Sequence, residues 1–235
     1  MNTGESAQPR LVAEAPARVV ARGLRLRHGG GGAAVRALDG VDVDLRAGEV
    51  VALTGPSGSG KTTLLSVLCG WEVPDAGTVV VHGPAGAPPR APAGLPWSEL
   101  AVLPQSLGLL ADLTVRANLT LAVRLGGGGE VAVTRASLLL ERLGLEASAD
   151  RRPDACSLGQ QQRAALARAL VLEPAVLLAD EPTAHQDAGW AEVCVTLLRE
   201  RAGAGGTVLM ATHTPMLMAS CDRRITLADG RVVSG

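Results

Sequence analysis

The chain has 235 residues with 22 basic and 23 acidic side chains, a formal net charge of −1. Hydrophobic residues make up 47% and charged residues 19%, enough apolar surface for a full core, which excludes intrinsic disorder. The balanced charge and the presence of three Trp with no Phe or Tyr exclude both a basic nucleic-acid surface and an aromatic base-stacking platform.

Residues 1–18 are expected to form a flexible N-terminus. β-rich runs follow at Val19–Arg27, Val41–Leu45 and Val50–Thr54, separated by the Gly29–Gly32 loop and by Arg46-Ala47-Gly48. The alternation Val41-Asp42-Val43-Asp44-Leu45 has the period of a half-buried strand. A Gly/Ser loop, Gly55–Gly60, runs into a helix with Leu64, Leu65 and Leu68 on one face, and Val79–Val81 reads as another strand. Gly83–Pro96 has no periodicity and is expected to be a surface loop. Helical pattern extends from Val115 to Leu145, interrupted by Gly126–Gly129, and another helix starts near Gly159. The last third alternates strand and helix: Ala175–Ala179, Asp187–Arg201, Thr207–Thr212, Pro215–Ser220 and Arg224–Leu227. That βαβ rhythm implies a mostly parallel sheet, into which the helical stretch is inserted.

No run of eighteen apolar residues is present, so no membrane-spanning helix is expected. Glu5 and Glu14 fall where a secretory signal would need an apolar stretch. Cys69, Cys156, Cys194 and Cys221 lack CxxC spacing and read as reduced thiols, so a cytosolic globular protein is expected. Of the 22 basic residues only Lys61 is a lysine, which suggests a task that a planar guanidinium does not perform.

Lys61 sits in Gly55-Pro56-Ser57-Gly58-Ser59-Gly60-Lys61-Thr62, which fits G-x-x-x-x-G-K-[ST] after a strand and before a helix. Glycines let successive backbone N–H groups turn inward toward phosphate oxygens, and the helix N-terminus adds partial positive charge. In this reading Lys61 reaches the β and γ phosphates and Thr62 ligates Mg²⁺, with Thr63 counted among the nucleotide-binding residues. A second motif is the apolar run Ala175–Ala179 ending in Asp180-Glu181-Pro182. Carboxylates at the tip of a core strand stand where open α/β sheets hold ligands. Asp180 is expected to hold Mg²⁺ through water and Glu181 to orient and deprotonate the attacking water.

With these motifs placed, the chain resembles the ATP-binding subunit of an ABC transporter from about Val19 to Val233. The resemblance implies an α/β fold: a P-loop NTPase (RecA-like) core with an antiparallel β subdomain and an α-helical subdomain insertion. Residues 19–235 would form one nucleotide-binding domain, with the helical subdomain at about 106–165. Gln105 falls at the Q-loop, completing the Mg²⁺ shell and sensing the γ-phosphate. Cys156-Ser157-Leu158-Gly159-Gln160 falls at the signature, whose Ser157, Gly159 and Gln160 would meet nucleotide. Thr183–Asp187 falls at the D-loop, which puts Asp187 among the nucleotide-binding residues, and His213 falls at the switch histidine. His28 holds the place of an adenine-stacking aromatic. The signature departs from the family's Leu-Ser-Gly-Gly-Gln at Cys156 and at Leu158, which replaces the first glycine.

The same resemblance implies ATP and Mg²⁺ as ligands, and two chains that sandwich two ATP molecules head to tail. A homodimer is expected over a heterodimer, and no nucleic acid is expected as partner. Leu107–Leu113 and Thr114-Val115-Arg116-Ala117-Asn118-Leu119 are similar to the run after the Q-loop in subunits of the macrolide-exporter and lipoprotein-release type. That run would receive a separate membrane permease, leaving this chain cytoplasmic and peripheral on the inner face of the cell membrane. A competing expectation, favoured by Leu158, is a regulatory module that binds ATP, hydrolyses it weakly and pairs with a different ATPase subunit.

Overall fold

The computed structural model describes residues 17–29, 35–83, 87–126 and 129–235. The expectations made for residues 1–16, 30–32, 84–86 and 127–128 lie outside the described residues. In chain order the elements begin with β1 (Ala17–His28), β2 (Val35–Arg46), β3 (Val50–Thr54), α1 (Lys61–Leu68), β4 (Ala76–Val81) and β5 (Leu100–Leu103). The helical stretch holds α2 (Val115–Gly126), α3 (Gly129–Arg142) and α4 (Leu158–Leu170). The remainder is β6 (Val176–Asp180), α5 (Ala188–Gly203), β7 (Thr207–Ala211), α6 (Pro215–Ala219), β8 (Arg223–Ala228) and β9 (Arg231–Ser234).

Two sheets carry the molecule. Strands β2-β1-β4 form an antiparallel sheet, and β5-β6-β7-β3-β8-β9 form a second sheet that is parallel except for β9. Every residue of β3, β6 and β7 is buried, which is why these strands read as continuous apolar runs rather than alternating ones. Alternate side chains feed two cores. Leu177, Ala179, Val208 and Met210 pack with the helices α2 to α5, whereas Val176, Leu178, Leu209 and Ala211 pack with β1, β2 and α1. The predicted α/β architecture, with its parallel core and antiparallel subdomain, is therefore the one observed.

Register decides where the chemistry emerges. Ala211 is opposite both Leu53 and Asp180, so the carboxyl ends of β3, β7 and β6 are level. The Gly55–Gly60 loop and the Asp180-Glu181 pair consequently leave the sheet at one edge, where open α/β sheets receive ligands.

Three elements depart from the sequence reading. Strand β2 begins at Val35 rather than Val41; its first half pairs with β1 across register shifts, which erase the period-two pattern. Strands β5 and β9 were not marked, because four residues are too few to display a period. The expected helical region holds two helices flanking the glycine interruption, and Leu119, Ala122, Leu139 and Leu140 join Ala164, Leu166, Ala167 and Ala169 in one core. Helix α4 starts at Leu158 because Ser157 and Gln160 form a capping box: each side chain bonds the other's backbone N–H.

Candidate active site

The loop from β3 to α1 is shaped by glycines at positions no other residue fits. Gly55 has φ 143°, and a Cβ there would lie 2.1 Å from the Leu227 carbonyl oxygen; at Gly60 (φ 104°) it would lie 2.3 Å from that of Ala37. The loop thus lies flush against β8 and β2. Gly60 caps α1 without a side-chain bond, and the first turn carries no acidic residue, so no side chain competes for its N-terminal amides. Lys61 Nζ donates to the carbonyl oxygens of Gly55 and Pro56, both at 2.9 Å.

Thr62 Oγ1 donates to Asp180 Oδ2 at 2.8 Å, tying α1 to the end of β6. Asp180 is 5% exposed, and burial pushes its carboxyl above the ordinary carboxylate range while the Thr62 bond opposes the rise. Glu181 occupies the left-handed region at φ 50°, a strained backbone for a non-glycine residue. Its N–H donates to the Ala211 carbonyl at 2.9 Å, and its own carbonyl accepts from Gln162 Nε2 at 3.1 Å. The side chain is thereby aimed at the loop after β7: Oε1 lies 2.7 Å from His213 Nδ1, and Thr212 Oγ1 donates to Oε2 at 3.4 Å.

These groups face a cleft of about 550 Å³ lined by His28, Val35, Ala37, Gly55, Ser57, Gly58, Gly60, Lys61, Thr62, Thr63, Gln105, Asp180, Glu181 and His213. The cradle fits a polyphosphate. Its walls are glycine backbone, uncapped helix amides and an ammonium, while the hydroxyl and carboxylates stand opposite. Among the described residues no group of three or more His, Cys, Asp or Glu side chains is arranged to hold a metal. The Thr62 hydroxyl and the Asp180 carboxylate beside the phosphate cradle suit Mg²⁺, which is commonly bound by one or two carboxylates together with substrate phosphates and water. Pro56 and Ser59 belong to the loop but do not line the cleft; the Ser59 hydroxyl is buried without a hydrogen-bond partner among the described residues.

The signature residues lie elsewhere. Ser157, Gly159 and Gln160 do not line the cleft. Ser157 and Gln160 cap α4, and Gln160 Nε2 also donates to Ser148 Oγ at 2.9 Å. A Cβ on Gly159 would lie 2.9 Å from the His185 carbonyl oxygen, so a glycine is needed there, whereas the neighbouring Leu158 is 46% exposed. Asp187 caps α5 by accepting from the Trp190 N–H at 2.9 Å and, like the signature residues, does not line the cleft.

The model of the family described as ABC transporter matches residues 38–184. This chain belongs to the ABC transporter family. It is an ATP-binding subunit of that family, an ABC ATPase, and the suspected resemblance to the lipoprotein-release and macrolide-export type holds. It is 42% identical over 226 residues to the lipoprotein-releasing system ATP-binding protein LolD 2 of Rhodospirillum rubrum, covering 92% of this chain and 95% of that protein. It is 37% identical to the macrolide export ATP-binding/permease protein MacB of Nitrosomonas europaea, covering 93% of this chain but 34% of that longer protein. Among solved structures, the dimeric post-hydrolysis state of the ATP-binding cassette MJ0796 bound to ADP and Pi superposes with a TM-score of 0.83 at 30% identity, covering 92% and 97% of the two chains.

Some residues of this ABC ATPase site went unread in the sequence. Glu72 Oε2 lies 2.8 Å from His28 Nε2 and fixes that ring at the cleft wall. Gln162 holds the Glu181 backbone, and Val35 and Ala37 line the cleft from β2. Only Gln162 had a local signal, its place directly after the signature.

Proposed function

We propose that this chain is the Mg²⁺-dependent ATP-hydrolysing subunit of an export-type ABC transporter, acting on a separate permease through dimer closure and opening. The observation that carries this reading is the single cleft shared by Lys61, Thr62, Gln105, Asp180, Glu181 and His213. In it Lys61 exchanges its two carbonyl partners for phosphate oxygens, and His28 lies against the adenine. Thr62, Asp180 and Gln105 hold Mg²⁺, which when bound neutralises charge on the phosphates. Glu181 takes the proton of the attacking water, kept in place by His213 and Thr212. The Ser157, Gly159 and Gln160 amides and hydroxyl and the Asp187 carboxylate do not line their own chain's cleft and serve the nucleotide of a second copy. ATP then favours the closed dimer, and hydrolysis releases it.

Residues 19–235 act as one nucleotide-binding domain, with a helical subdomain at about 106–165 that receives the permease after Gln105. Support for that surface comes from Leu110, 48% exposed, in a loop held by Asn118 and by Arg168, which donates to the carbonyls of Leu107 and Gly108. No described helix is long and apolar enough to cross a membrane, in keeping with a peripheral position on the inner face of the cell membrane. The export direction rests on the relatives named for lipoprotein release and macrolide export.

Steady-state ATP turnover of wild type against Glu181→Gln tests the reading. Loss of a general base lowers turnover by about 10²–10⁴-fold. Equal, low rates would instead support the second reading, a weakly hydrolysing regulatory module, which the exposed Leu158 side chain favours. Under the motor reading Leu158→Gly raises turnover of the homodimer; unchanged turnover would show that the leucine is neutral or that another chain supplies the working signature.

A further inference from the structure

The antiparallel sheet carries a concentrated positive charge that the nucleotide cleft does not use. Arg25, Arg27, Arg36 and Arg231 line a pocket of about 310 Å³ together with Leu38 and a single carboxylate, Asp39. Arg231 reaches Asp39 Oδ2 from Nη2 at 2.6 Å, Arg36 from Nη1 at 3.5 Å, and Arg25 Nε lies 3.8 Å from Oδ1. Arg231 beside it holds the Asp39 carboxyl below its ordinary range, so the carboxylate stays charged. Three guanidinium groups therefore share one anion and a fourth, that of Arg27, lines the same pocket, in a chain whose net charge is −1.

The strand register makes the arrangement unfavourable on its own. Arg27 and Arg36 are direct cross-strand partners, and like charges placed opposite one another destabilise a sheet. No carboxylate side chain lies within ion-pair distance of the Arg27 guanidinium among the described residues; the nearby Asp75 accepts from the Arg27 backbone N–H instead. A local conflict of this kind is expected at a functional site. The next rung of the ladder, His28 opposite Val35, lines the nucleotide cleft, whereas Arg27 and Arg36 line the other pocket. The arginine pocket is thus separate from the P-loop.

We propose that Arg25, Arg27, Arg36 and Arg231 form a second anion site that binds a phosphate group carrying two negative charges. Guanidinium forks match phosphate oxygens in paired, charge-assisted hydrogen bonds, and a dianion offsets most of the excess charge. The pocket has the size of a small-ligand site and is open, with the side chains of Arg25, Arg36 and Arg231 all more than 60% exposed. The phosphate is either that of a small phosphorylated compound or that of a lipid headgroup.

Two binding arms at about 50 mM salt, where screening is modest, separate these sources. In the first, inorganic pyrophosphate is titrated calorimetrically into the full chain saturated with a non-hydrolysable ATP analogue, which occupies the P-loop. In the second, the chain is sedimented with phosphatidic acid/phosphatidylcholine vesicles, whose phosphomonoester headgroup can carry two charges, against pure phosphatidylcholine. Binding in either arm that weakens about tenfold or more in R27Q/R36Q, but not in the charge-matched control R124Q/R151Q, supports the site and names its source. Binding in neither arm, or equal loss in the control, overturns it. R27Q/R36Q is also expected to melt above wild type in phosphate-free buffer, since the opposed charges are gone; a lower melting temperature would contradict the strain on which the site rests.

Discussion

Alanine at Gly55 and at Gly58 makes the same chemical change in one loop, yet the two sites differ sharply. Gly58 has φ 77° with nothing within 4 Å of the position its Cβ would take. The cost there is the left-handed backbone alone, about 1–2 kcal/mol, offset by about 0.4–1 kcal/mol from the reduced freedom of the unfolded chain. Gly55→Ala places a Cβ 2.1 Å from the Leu227 carbonyl oxygen and 2.7 Å from Ser59 Oγ. The first of these is backbone of β8 and cannot rotate away. About 1–3 kcal/mol of overpacking then adds to about 1–3 kcal/mol of backbone strain, for a net loss of about 2–5 kcal/mol. At this chain length each kcal/mol corresponds to about 2–4 °C in melting temperature. Nucleotide-free calorimetric melts should therefore fall by about 4–20 °C for Gly55→Ala and by no more than about 6 °C for Gly58→Ala. Gly55→Ala should also weaken ATP binding, because the Gly55 carbonyl that positions Lys61 moves with the loop. Equal shifts for the two variants, or a larger one at Gly58, would refute the close-approach argument.

Burial raises the Asp180 carboxyl above its unfolded value, so the folded state binds the proton more tightly. The associated stability is complete below the unfolded carboxylate range, at about pH 4, and is lost as pH rises through the elevated folded value. Asp180→Asn should accordingly raise the melting temperature at pH 7 while abolishing turnover, and its advantage should shrink as pH approaches about 4; an advantage independent of pH would exclude the buried charge as its source. Arg163 is buried, donates to the Leu143 carbonyl and to Gln186 Oε1, both at 2.8 Å, and lies 4.1 Å from the centre of the Trp190 ring. Arg163→Ala should cost about 3–5 kcal/mol in urea denaturation, and a loss below about 1 kcal/mol would show that water replaces the guanidinium. Glu72→Ala releases the His28 ring, so ATP affinity should fall about three- to tenfold while tripolyphosphate affinity stays constant. Parallel losses for both ligands would place Glu72 at the phosphates rather than the base.

What was legible in the sequence was local. The glycine spacing before Lys61 and the apolar run ending at Asp180 each lie within one loop or strand, where backbone geometry admits few residue types. The helix beginning after Ser157 is equally local, because a capping box spans four residues. Residues joined only by the fold were not legible. Nothing near His28 in the chain announces Glu72, 44 positions away, and Gln162 meets Glu181 only because α4 packs beside the end of β6. The N-cap role of Asp187 was likewise not legible, because it depends on where α5 starts. The pairing of Arg27 with Arg36 depends on register shifts between β1 and β2, which single residues do not encode. Sequence alone settled which groups are available for phosphate chemistry, since that needs particular atoms at short spacing. Their convergence on one cleft was decided by the tertiary structure, because it depends on the level carboxyl ends of β3, β7 and β6, and register is a property of strands packed together.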